Sequence, residues 1–124
     1  MRVISIFTLD PSKAGPPSEE AICKMNELVD EMTKTGVLVD TGGVAPTGNS
    51  LRVTGNGRGP VAITDGPFAE SKEVLGGYAV LNVKDRAHLL EVTQRFLECA
   101  GGGTCTIHEL YVPDAELCTN HQIA

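Results

Sequence analysis

The sequence predicts an α+β fold in which two helices pack on one layer of β-structure. Two observations carry this. Strand-like and helix-like segments follow one another in the order β-α-β, hairpin, β-α-β, which suits a layered arrangement better than a bundle or a sandwich. The strand segments are also apolar at successive positions (Val3, Ile4; Val37, Leu38, Val39; Tyr78, Ala79, Val80, Leu81), so both of their faces require cover.

Each element has its own signal. Residues 2–9 are rich in β-branched and aromatic side chains (Val3, Ile4, Ile6, Phe7), and Asp10-Pro11 stops them as a turn does. A Gly/Pro loop over 13–17 precedes Ser18, which can cap a helix carrying Glu19 and Glu20 in the first turn, where the helix dipole favours negative charge. Ile22, Met25, Leu28, Val29 and Met32 fall on one helical stripe, and Gly36 ends the helix. Residues 37–40 read as a short strand broken by Gly42-Gly43, with a loop over 44–49. Residues 51–54 and 61–64 flank Gly55-Asn56-Gly57-Arg58-Gly59-Pro60 and read as a β-hairpin. Asp65-Gly66-Pro67-Phe68 is a tight turn, and a polar segment over 69–75 leads through Gly76-Gly77 into a strand over 78–83. Asp85 can cap a second helix with a broad apolar face of Ala87, Leu89, Leu90, Val92, Phe96 and Leu97, ended by Gly101-Gly102-Gly103. Residues 104–112 are the last strand, Pro113 closes it, and residues 114–124 have few core side chains and are expected on the surface.

Right-handed crossovers put both helices on the same sheet face and leave the other face bare. A second subunit is the simplest cover. The expectation is a ferredoxin-like topology that dimerises through its open face, with the two sheets stacked about 10 Å apart.

A chain of 124 residues with 41% hydrophobic and 21% charged side chains is about one globular domain. Ten Lys plus Arg against 16 Asp plus Glu gives net charge -6, a field that repels phosphate backbones. There is no Trp and only 2 Tyr and 3 Phe, so no stacking platform for bases is available either. These features argue against nucleic-acid binding. No apolar run approaches the roughly 20 residues of a membrane span, and no basic segment followed by an apolar stretch opens the sequence, so a cytoplasmic location without membrane contact is expected.

The four cysteines, Cys23, Cys99, Cys105 and Cys118, show no Cys-x-x-Cys spacing, and free thiols are expected. Cys105 with His108 and Cys118 with His121 form two Cys-x-x-His pairs. Residues three apart on a strand point to opposite faces, so Cys105 and His108 are not expected to share a metal. His88, at the start of the second helix, reads as a surface residue. His108 lies in the last strand and is either a general base in a cleft or a hydrogen-bonded structural histidine. The Gly-rich stretch at 55–59 joins β to β and lacks the helix terminus of a phosphate cradle. No metal or cofactor is expected.

The segment Val61-Ala62-Ile63-Thr64-Asp65-Gly66-Pro67-Phe68-Ala69-Glu70-Ser71-Lys72-Glu73-Val74-Leu75-Gly76-Gly77-Tyr78 closely resembles the signature of the YCII-related proteins, in the branch named for its Asp-Gly-Pro-Phe motif. Ser71 stands where that pattern has Thr and keeps the hydroxyl. With the first strand, Gly36-Val37-Leu38, Gly42-Gly43 before Pro46 and the helix after Val83, the resemblance covers most of residues 1–112. It implies a dimeric α/β barrel built from a domain over 1–113, with 114–124 as a tail. It also implies kinship with small lyase-like or dehydrochlorinating enzymes that use a His-Asp pair, and with proteins encoded beside or fused to alternative sigma factors. The family often ends its last strand with Glu-x-Arg-Pro; residues 106–111 lack that Arg, which removes any role resting on it.

Asp65 is the Asp within the matching motif, and His108 is a possible partner. At the end of its strand Asp65 can accept backbone N–H bonds in a structural turn, or it can act as proton acceptor in a cleft. In the second reading Glu70 and Lys72 set the charge of the groove and Phe68 forms an apolar wall. Two functions therefore stand open. One is a cofactor-independent enzyme or ligand-binding protein acting on a small organic molecule; the other is a non-catalytic sensor or interaction module associated with a sigma factor.

Overall fold

The computed structural model describes residues 1–10, 17–44, 50–66 and 74–111. The chain forms β1 (Arg2–Leu9), α1 (Glu19–Lys34), β2 (Leu38–Gly43), β3 (Leu51–Thr54), β4 (Ala62–Asp65), β5 (Val74–Asn82), α2 (Arg86–Ala100) and β6 (Thr104–Glu109). Four strands make an antiparallel sheet in the order β2-β5-β1-β6, and β3 and β4 pair separately as a two-stranded ribbon. With the ribbon set aside, this is the ferredoxin-like α+β arrangement that the order of elements predicted. From Pro67 onward the Asp-Gly-Pro-Phe turn lies outside the described residues, as do most of the first loop and the tail over 114–124.

Both helices begin where their capping residues predicted. Ser18 Oγ accepts from the Ala21 amide at 3.1 Å, and Asp85 Oδ1 accepts from the His88 amide at 2.8 Å. At the far end of α2 the Gly101 backbone takes φ 82°, a left-handed conformation that a side chain resists, and both Gly101 and Gly102 donate to the Leu97 carbonyl.

Three strand limits differ from the sequence expectation. β2 continues through Gly42-Gly43 instead of breaking there, β5 begins at Val74 and takes in Gly76-Gly77, and β6 ends at Glu109. The glycines stay in the ladder because Gly43 pairs with Gly77 and Gly42 with Tyr78 at close range. A Cβ on Gly42 would lie 2.8 Å from Tyr78 Cε1, so the Tyr ring occupies the space a side chain would need.

Val3, Leu81 and Val83 from the sheet end meet Leu28 and Met32 of α1 and Leu89 and Val92 of α2 in one buried core. Further along β1, the Phe7 and Phe96 rings meet edge to face with centroids 5.1 Å apart. Period two along β1 puts Val3 and Ser5 into the helix side, and Ile4 and Ile6 on the opposite face. There Ile4 lies opposite Val80 and Ile6 opposite Tyr78, so the face that no helix covers carries adjoining apolar side chains.

Candidate functional site

Beneath the two helices the packing does not close. A cleft of about 280 Å³ lies between α1, α2 and the helix-facing side of the sheet. Met25, Leu28, Val29 and Met32 of α1 and Val92, Thr93 and Phe96 of α2 form its roof. Ser5, Phe7, Leu38, Ala79, Leu81 and Cys105 lie along the floor. Gly43 and Gly77 pair on the helix-facing side, where neither offers a side chain, and the floor recedes at that end. No lining residue among those described carries a formal charge.

The few polar groups in this apolar space are distinctive. Ser5 is buried and hydrogen-bonded to Cys105, its diagonal neighbour on the adjoining strand. Burial pushes the Cys105 thiol pKa up, and the Ser5 hydrogen bond offsets part of that rise. Thr41 Oγ1 donates to the Tyr78 carbonyl at 2.9 Å. Thr93 Oγ1 is buried without any hydrogen-bond partner, whereas a Thr inside a helix ordinarily bonds back to a carbonyl of the preceding turn.

A raised pKa makes Cys105 a poor nucleophile at neutral pH, since the thiolate is the reactive form. The exposed Cys23 is therefore expected to react first with iodoacetamide in the folded protein, with Cys105 modified only slowly. Its rate should climb with pH on the alkaline side of an ordinary thiol's profile. Residue-resolved mass spectrometry checks this; Cys105 labelled as fast as Cys23 at pH 7 would refute it.

The residues singled out in the sequence fall elsewhere. Asp65 closes β4, opposite Leu51, and is exposed; the next amide, of Gly66, donates to the Ser50 carbonyl at 2.6 Å. His108 is exposed in β6 opposite Ile4, on the sheet face turned away from the helices. No hydrogen bond or ion pair joins the two, and neither lines the cleft. Phe68, Glu70 and Lys72 lie outside the described residues. Strand parity does separate Cys105 from His108, one half-buried towards the helices and the other exposed on the far face. Cys118 and His121 lie outside the described residues, and among those described no three His, Cys, Asp or Glu side chains are grouped to hold a metal ion. His88 contributes to the start of α2: its Nδ1 accepts from the Lys84 amide at 3.0 Å.

On the open face, the Tyr78 hydroxyl donates to Asp40 Oδ2 at 3.2 Å. That hydrogen bond, and next the carboxylate's charge, raise the pKa of the phenol. Sequence reading missed both this pair and the cleft.

A ferredoxin-like α+β domain with an uncharged cleft between its helices and its sheet is the class of protein these features define. The model of the YCII-related domain matches residues 1–105, from β1 into β6, and the chain belongs to that family. No curated protein matches it. No described helix is long and apolar enough to cross a membrane.

Proposed function

We propose that the protein binds a small organic molecule in the cleft beneath its helices and does so as a homodimer. The observation that carries the first part is the cleft itself, an apolar space of about 280 Å³ with a few polar groups, the ordinary form of a small-molecule site. Binding is favoured over turnover because the described lining offers neither a carboxylate nor an imidazole to move a proton. Asp65 and His108 take no part in this reading, since neither lines the cleft. No cofactor enters this reading, and the domain is taken to run over 1–113 with 114–124 as a surface tail.

Saturating a site at about 100 times its Kd stabilises a fold by about 2.7 kcal/mol, which for a domain of this size raises Tm on the order of 5–10 °C. Thermal denaturation against a panel of small apolar compounds is expected to find such ligands. Val29 sits half-buried in the roof, and Val29→Phe fills the cleft from α1. A compound that stabilises wild type and Val29→Phe alike would remove the cleft as its site.

The dimer is supported by the adjoining Ile4, Val80, Ile6 and Tyr78 on the uncovered sheet face. Light scattering at micromolar concentration is expected to give twice the 13.1 kDa mass of one chain. Ile6→Lys, which sets a charge in that face, is expected to return the single-chain mass. A wild type that scatters as one chain would overturn the dimer.

A further inference from the structure

We infer that the cleft selects an uncharged, largely apolar molecule bearing one carbonyl oxygen, which accepts its hydrogen bond from Thr93. This rests on the reading of the cleft as a ligand site and adds the chemistry of what enters it. Three features of the lining lead there. The absence of any charged side chain among the described residues leaves an anion or a cation with nothing to replace its hydration, so carboxylates and amines are rejected. The volume, about twice that of an engineered cavity of roughly 150 Å³ that takes up benzene, suits a two-ring compound or its aliphatic equivalent.

The third feature is the state of the hydroxyls. Thr41 has given its proton to the Tyr78 carbonyl, and Ser5 is engaged with Cys105. Thr93 alone among the described lining residues holds a buried hydroxyl with no partner. An unmet buried donor is costly, and an acceptor brought in by a ligand relieves that cost. Thr in a helix has two side-chain rotamers open to it, so a rotation about χ1 suffices to turn Oγ1 towards a guest. One free donor in an otherwise apolar wall is the pattern that fixes the orientation of a ketone or aldehyde.

The test uses the native protein and three probes of similar size at pH 7: 2-acetonaphthone, 2-naphthoate and 2-methylnaphthalene. The readout is the rate of Cys105 alkylation by iodoacetamide, because a guest in the cleft covers that thiol. The ketone is expected to slow Cys105 at least tenfold and saturably. The hydrocarbon should do so at concentrations some fivefold higher, and the naphthoate should not protect. In Thr93→Val, which keeps the shape, the ketone's advantage over the hydrocarbon should vanish while the hydrocarbon binds as before; Thr93→Ser, which keeps the hydroxyl, should retain the advantage. Circular dichroism confirms that each variant is folded. Protection by naphthoate as strong as by the ketone, or a ketone advantage that survives in Thr93→Val, overturns the inference and leaves the cleft a ligand site. Failure of all three probes to protect Cys105 overturns the cleft reading itself.

Discussion

Gly77→Ala is expected to cost about 3 kcal/mol of stability, the upper end for a residue forced into a filled site. The new Cβ would lie 2.6 Å from the Gly42 carbonyl oxygen and 3.4 Å from Gly43 Cα. Both are backbone atoms of β2, so no side chain can turn aside; the strand itself must retreat and its ladder to β5 must loosen. Gly43→Ala, one step across the same ladder, is the control. Its Cβ would meet nothing closer than the Gly76 carbonyl oxygen at 4.0 Å, and a change under about 1 kcal/mol is expected. Urea titration of both variants measures the difference. Equal midpoints for the two would show that β2 yields freely and that close approach is not what keeps glycine at position 77.

Leu81→Ala is expected to cost about 3–4 kcal/mol, through lost burial and the void it leaves. Leu81 is only 5% exposed and sits on β5 between Val3 of β1 and Leu38 of β2, under Leu28 and Met32. Domains of this kind are stable by about 5–15 kcal/mol, so the loss takes a large share of the total. Leu90→Ala on the solvent side of α2, where the residue is 55% exposed, should stay within about 1 kcal/mol. A Leu81→Ala midpoint near that of Leu90→Ala would mean that the core beneath α1 repacks without loss.

The helix ends were legible because capping is local chemistry. Ser18, Asp85 and the glycines after each helix act within three or four residues of themselves. The ferredoxin-like arrangement followed from connectivity and the hairpin from its glycine-rich turn, but that the hairpin stands apart from the four-stranded sheet was not legible. Gly42-Gly43 and Gly76-Gly77 misled because glycine alone reads as a stop, whereas Gly42, Gly76 and Gly77 are there because the Tyr78 ring, the Phe7 and Leu9 side chains and the Gly42 carbonyl oxygen fill the space a Cβ would need. The cleft is volume left between elements, which no local pattern records. Its polar members still left a trace: Thr93 stands four residues after Leu89 and three before Phe96, on the apolar stripe of α2, and Ser5 stands between Val3 and Phe7 on the buried side of β1. A polar residue in an apolar register was the signal to follow. Asp65 and His108 were read for their chemistry, but the face each occupies depends on pairing with Leu51 and with Ile4, which sequence does not specify.

The pairing of β1 has a consequence for synthesis. Ile4 is hydrogen-bonded into the sheet beside Val80 on one flank and His108 on the other, so the first strand made is one of the two inner strands. At roughly 5–20 residues per second, the ribosome takes on the order of 5–20 s between Ile4 and His108. Until β5 emerges the nascent chain carries an apolar strand with both edges unpaired, and until β6 emerges one edge stays open to strand addition from a neighbour. Loss of protein to aggregates during expression should therefore depend on how β1 is sheltered before β6 emerges, and variants that weaken the mature fold no further can still lower the yield by exposing it longer.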